Sequence, residues 1–201
     1  ALLLGVVAVS LSLTGFLIYG GLRDRTFEAA SSELLRETAA ATAGLSLEDV
    51  KQLRQPADAK KPAYRKVKRE LGRLHLLNHF GDEERLIRIS IVRFDADRGR
   101  LFNVASLQSE GDIGRELEVV QEEVYRLVAR NEAVVQDGQE EGADWISAYA
   151  PLPQQKPRQD ITYMLRLERN TAPLSTELFR HMFTIFLAAF AGLAIALAGG
   201  W

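Results

Sequence analysis

The chain has no cysteine, only two methionines and two tryptophans, and no excess of either charge: 25 Lys and Arg stand against 27 Asp and Glu, a formal net charge of −2. Without cysteine there are no disulfides and no thiolate metal sites. Many exported domains also fold without disulfides, so this absence assigns no compartment. A near-neutral balance supplies no basic field for nucleic acid, and no nucleic-acid partner is expected. The sequence holds no Gly-x-Ser-x-Gly elbow, no phosphate-cradling glycine loop and no cysteine nucleophile. Its carboxylates fall on polar helix faces and in turns, their ordinary solvated place. His75 and His79 lie four apart ahead of Asp82, Glu83 and Glu84, a spacing that can bring two imidazoles to one metal. No third ligand is fixed by spacing, so neither a metal nor a cofactor is expected. The segment is not expected to be an enzyme by itself.

What is present begins at the two ends. Residues Ala1–Gly21 and Met182–Trp201 form apolar runs without a single Asp, Glu, Lys, Arg or His. A hydrocarbon core about 30 Å thick needs roughly 20 apolar helical residues to cross it. Two transmembrane helices are therefore expected, within residues 1–21 and 173–201. An even number of crossings puts both ends on one side and the middle on the other, the layout of a receptor with a sensing module outside and an output inside. The chain starts without Met inside one run and stops inside the other, and so reads as a piece of a longer protein. The Lys and Arg counts that fix orientation belong to the outer flanks, which this sequence does not include. Arg23, Arg25, Arg180 and His181 sit at the inner ends of the runs. The receptor layout, not flanking charge, points to a two-pass inner-membrane protein with a periplasmic middle domain. The alternative for the first run, a cleaved signal peptide, fits poorly: the run exceeds the about 7–15 residues of such a segment and shows no small-residue cleavage site near Gly21.

The middle of roughly 160 residues is enough for one domain with a real core. From Leu22 to Gly44 the sequence is rich in good helix formers and holds no proline, so the first crossing is expected to continue as a juxtamembrane helix over residues 22–45. Phe27, Ser31, Leu34, Thr38, Ala41 and Leu45 follow heptad spacing. That stripe suits either pairing with a second copy in a parallel homodimer, through Phe27, Leu34 and Ala41, or packing on the helix's own domain. Ser46 is an N-cap for a short helix to about Leu53. Pro62 opens another, ending at Gly81, with Tyr64, Val67, Leu71, Leu74 and Leu77 on one face and Arg65, Lys66, Arg69 and Arg73 on the other. The period then becomes alternating. Leu86–Asp95 and Arg100–Ser106 read as a hairpin around Asp95–Gly99, Arg115–Arg130 as a helix, Ala133–Gln136 as a short strand, and Asp144–Leu152 and Asp160–Arg169 as two further strands.

This order predicts an α+β domain over residues 22–172, built on an antiparallel sheet of about five strands behind a long N-terminal helix. The stretch Ala143-Asp-Trp-Ile-Ser-Ala-Tyr-Ala-Pro-Leu152, an aromatic strand ending in an apolar–Pro–apolar step, together with the Asp95–Gly99 turn, resembles the extracytoplasmic single-Cache (PAS-like) sensor domains of bacterial receptors. The loop Gln154-Gln-Lys-Pro-Arg158 departs from that pattern, since it lacks the family's glycine turn. The resemblance implies a small-molecule ligand held between the sheet and the preceding helix and loops. It also implies a cytoplasmic output beyond this sequence, whether histidine kinase, nucleotide cyclase, chemoreceptor or phosphatase.

The residues point to the same region. Trp145, Ser147 and Tyr149 share a face of one strand, and Arg88 and Ser90 share a face of another. An arginine among apolar neighbours needs a partner. An anionic ligand would supply one, as would Glu84 or Glu168. Tyr163 on the last strand completes the candidate ligand set. In the second crossing Ala188, Gly192, Ala196 and Gly200 recur every four residues, which suits close approach of two helices and adds Gly192 and Ala196 to the candidate dimer interface. The reading of another class is a protein-interaction module of an envelope complex or transporter with no small-molecule ligand.

Overall fold

The first proline is Pro56, and nothing before Gly44 in the Ala-, Leu- and Glu-rich stretch breaks a helix once it has started. In a computed structural model of the protein, which describes residues 2–78, 87–109, 112–117, 130, 132–140, 143–156 and 160–199, helix α1 accordingly runs unbroken over Leu2–Ala41. It tightens into a 3₁₀ turn at Thr42–Gly44. The chain divides into two compact units, residues 1–30 with 172–201 and residues 31–171.

In the second unit, the Ser46 hydroxyl accepts from the Asp49 amide at 3.3 Å and caps α2, Leu47–Lys51. A 3₁₀ turn at Pro56–Lys60 follows. There the Lys61 ammonium, 2.7 Å from Asp58, and the backbone amides of Arg54 and Gln55 hold the Asp58 carboxyl down at a pKa of about 2. Helix α3, Pro62–Asn78, buries Ala63, Tyr64, Val67, Leu71 and Leu74 and exposes Arg65, Lys66, Arg69 and Arg73, the division its sequence predicts. Its expected continuation to Gly81 lies outside the described residues.

Six antiparallel strands follow: β1 Ile87–Asp95, β2 Arg100–Ser106, β3 Glu116–Leu117, β4 Val134–Glu140, β5 Ala143–Pro151 and β6 Ile161–Asn170. Their order in the sheet is β3-β2-β1-β6-β5-β4, so the first and last strands pair at the centre. The β1–β2 turn closes on Gly99 at φ 60°, with the Arg98 amide bonded to the Asp95 carboxylate. The β5–β6 connection has no glycine. Gln154 takes φ 70° in its place, and the buried Gln155 amide bonds across the hairpin to the carbonyls of Leu152 and Tyr163 and to the Tyr163 amide.

Two local expectations change. Glu116 and Leu117 form a strand and not the start of a helix, because Gly114 at φ 84° turns the chain so that its amide and the Arg115 carbonyl both bond Asn103 on β2. The rest of that predicted helix, residues 118–129, lies outside the described residues. Strand β4 reaches Glu140 and is longer than its weak alternation suggests, because seven consecutive partners on β5 hold it in register.

The heptad stripe also resolves. Leu34, Thr38, Ala41 and Leu45 are buried within their own unit, so these positions pack inward and are not open to a second copy. Arg169, on β6, is buried and reaches Glu33 at 3.2 Å and Glu37 at 3.3 Å on α1. This clamp ties the last strand to the first helix. Directly after it the Thr171 amide and hydroxyl both bond the Asp144 carbonyl.

In the other unit, α4 covers Ala172–Gly199. The Phe186 ring occupies the notch left by Gly15: a Cβ on that glycine would lie 1.9 Å from the Phe186 ring. Leu17, Ile18, Leu22, Phe179, Phe183, Ile185 and Leu187 are all exposed, Phe179 stacking on Phe183 at 6.4 Å. Among the described residues no helix is long and apolar enough to cross a membrane. The side chains of residues 2–13 and 193–199, which make up much of both apolar runs, lie outside those described.

Candidate functional site

Pleating sorts the central strands into two faces. One carries Ile87, Ile89 and Ile91 of β1 with Leu165 and Leu167 of β6 and Ile146, Ala148 and Ala150 of β5, all buried. The other is the face on which the sequence places its candidate ligand residues, and it is polar at its centre. Register lines up Gln136, Ser147, Glu168 and Arg88 across four strands, and Val134, Tyr149, Arg166, Ser90 and Ser106 across five. Beyond them the same face turns apolar, with Val92, Phe94, Leu101 and Met164 packed together with Val134 and Tyr149.

The electrostatics of the centre rest on two guanidiniums and one carboxylate. Glu168, buried, takes an ion pair from Arg166 and a hydrogen bond from the Ser147 hydroxyl at 3.2 Å. The Arg88 guanidinium lies 4.3 Å over the Trp145 ring, and that of Arg166 lies 5.7 Å from the Tyr149 ring. Desolvated contacts of this kind contribute about 2 kcal/mol each. Burial pushes the Tyr149 phenol above its ordinary pKa, while the Arg166 charge opposes that rise, so it stays a neutral donor. Burial of all these groups leaves four polar atoms of this face without a hydrogen-bond partner: Trp145 Nε1, Arg166 Nε, Gln136 Oε1 and Asn103 Oδ1. Each such atom costs roughly 1–3 kcal/mol in a folded protein.

Of the six predicted ligand residues, the structure brings five to this face: Arg88, Ser90, Trp145, Ser147 and Tyr149. Tyr163 is a correction. It pairs with Arg93 on the opposite face, where it is buried and its backbone is held by Gln155. Residue parity alone separates it from its neighbours Met164 and Arg166. Gln136, Asn103 and Arg166 belong to the site and were not singled out from sequence. Their only signal was strand parity, and that could not be used before the pairing of β4, β5 and β6 was known. Candidate metal ligand His79 and the acids after it lie outside the described residues. Among the candidate interface positions outside the domain core, Gly192 is exposed with open space around it, Phe27 is half-buried, and the Ala196 side chain lies outside those described.

Among the described residues of this face none combines a nucleophile with a base. The same described residues include Arg88, Arg166 and Glu168, together with polar atoms that have no hydrogen-bond partner. No protein-family model and no curated protein matches the chain.

Proposed function

We propose that the chain is the sensing part of a bacterial transmembrane receptor, with residues 31–171 outside the inner membrane, α1 and α4 entering the bilayer, and a small anionic ligand bound on the polar sheet face in the manner of single-Cache domains. The observation that carries this reading is the set of four buried polar atoms, Trp145 Nε1, Arg166 Nε, Gln136 Oε1 and Asn103 Oδ1, that lie on one sheet face without a hydrogen-bond partner among the described residues. Buried polar atoms are ordinarily satisfied, and a cluster that is not marks a place where another molecule belongs. The lipid placement is supported by the two sequence runs and by the exposed Leu, Ile and Phe side chains of residues 17–22 and 179–187. Signalling follows from connectivity. The Arg169 clamp joins β6 to α1, and α4 starts at Ala172, two residues after β6 ends. A ligand that shifts β6 therefore acts on both helices of a parallel homodimer and on the cytoplasmic output beyond them.

The test is a thermal-shift screen of the whole chain in detergent micelles against small carboxylates and phosphates. At least one monoanion is expected to raise Tm in the wild type and to lose that effect in Arg88→Ala. A wild type that no anion stabilises, or an Arg88→Ala chain that responds as the wild type does, removes the ligand from the proposal.

A further inference from the structure

The basic side of α3 has no part in the sheet or in the site. Arg65, Lys66, Arg69 and Arg73 are all exposed, and at 100° per residue they fall within an arc of roughly a quarter turn. Leu76 lies within the same arc, between Arg65 and Arg69, and is 73% exposed, the most open large apolar side chain of the protein's described residues. Among the described residues two of the four cations have a carboxylate within reach: Lys66 is 3.6 Å from Asp49, and Arg73 is 2.9 Å from Glu70, with both cations exposed. Lys68, by contrast, turns away and bonds the carbonyls of Ser106, Leu107 and Ser109. It is structural, and the other four are not. At the start of α3 the ridge meets a cleft of about 450 Å³ lined by Lys51, Gln52, Arg54, Gln55, Asp58 and Lys61. Its one acid, Asp58, is already held by Lys61 and two backbone amides, so Lys51 and Arg54 leave the cleft positive.

We propose that this ridge is a docking surface for anionic phospholipid headgroups of the bilayer that holds the chain, with Leu76 entering the interface and the Lys51–Arg54 cleft receiving a phosphate. The proposal rests on the membrane placement of α1 and α4 given above. A line of cations with an apolar side chain among them, on a helix whose other face is buried, is the pattern of an interfacial helix. The helix carrying the ridge runs roughly 21 Å from Pro62 to Leu76 at 1.5 Å per residue. A plane of headgroups can meet cations spread over three turns of one helix face at the same time. The field of such headgroups falls away over about 10 Å at 0.1 M salt, so docking on them is sensitive to salt.

The absence of cysteine makes the experiment direct. The whole chain, carrying Leu76→Cys labelled with a fluorophore, is placed in nanodiscs of phosphatidylcholine with headgroup-bound quencher, with or without phosphatidylglycerol. Quenching is expected to increase when phosphatidylglycerol is present and to fall back towards the phosphatidylcholine level at 0.5 M salt, where 10 Å is about two Debye lengths against one at 0.1 M. The same loss is expected when Arg65→Gln, Lys66→Gln, Arg69→Gln and Arg73→Gln are combined, and lysine at the three arginine positions is expected to preserve quenching. Arg65→Gln with Arg69→Gln, which touches no ion pair, gives a partial loss and guards against a folding defect in the fourfold variant. Quenching that ignores phosphatidylglycerol, or persists in the fourfold variant, overturns the proposal. So does quenching that ignores lipid charge while added polyglutamate shields the probe, which assigns the ridge to an acidic protein. A chain that fails to enter nanodiscs defeats the membrane placement instead. Co-sedimentation with phosphatidylglycerol vesicles, present in the wild type and lost in the glutamine variant, then decides the ridge by itself.

Discussion

The two faces of one sheet differ in polar content. On β1, Ile87, Ile89 and Ile91 point to one side and Arg88, Ser90 and Val92 to the other, so a single strand supplies both. The isoleucine face is stabilised by the area it removes from water, about 25 cal/mol per Å². Its buried cation Arg169 has two carboxylates, while its Nε and that of Arg93 on the same face have no hydrogen-bond partner among the described residues. The arginine face places the Arg166–Glu168 pair at its centre and holds four buried polar atoms without a partner among the described residues, each of which costs stability. A protein selected for stability alone has no reason to keep both arrangements back to back. The difference is one of degree in polar content, and it is on the arginine face that the proposed ligand is placed.

Mutations at matched positions test that contrast. Glu168→Ala removes the counter-charge of Arg166 and is expected to cost the most, about 4 kcal/mol, read from the urea midpoint. Adding Arg166→Met to it should recover most of that loss, since an apolar pair replaces an uncompensated charge. If the double variant stays as unstable as the single one, the arginine face is packing like any other. Ile89→Ala, fully buried on the opposite face, is expected to cost about 3 kcal/mol through transfer and cavity terms, with no dependence on salt. A strongly salt-dependent loss there would break the division of labour. Trp145→Phe gives the smallest effect and the sharpest sign. It keeps an aromatic ring under Arg88 and deletes an N–H that has no partner, so stability should stay within about 1 kcal/mol of wild type or rise. A loss well above that would show that the indole N–H is satisfied in the folded chain and would remove one of the four atoms on which the ligand site rests.

Much of this was legible beforehand where the signal is local. The Ser46 cap, the Pro62 start, the α3 stripe and the Asp95–Gly99 turn depend on residues within a few positions of each other, and all formed as their chemistry predicts. The Glu116–Leu117 strand did not follow its local pattern. Leu117, Val120 and Val124 suit a helix, yet Asn103, more than ten residues away, takes the backbone bonds that set Leu117 in a strand. The long reach of β4 is similar, since Asp137 and Gly138 are poor strand formers carried by their partners on β5. The β5–β6 turn shows the converse, a missing glycine replaced by Gln154 at positive φ and by the side chain of Gln155.

Composition, the two apolar runs, the helix boundaries and the alternation of each strand were determined by the sequence by itself, because each follows from hydrophobicity and backbone preference over short spans. Which alternating face meets which was decided only by the tertiary structure. Pairing β6 between β1 and β5 put Arg166 and Glu168 beside Arg88, Ser147 and Tyr149, and the same pairing sent Tyr163 and Arg169 to the other side. Side-chain direction reverses at every residue of a strand, so a candidate site read from sequence is right or wrong by parity, and register sets the parity.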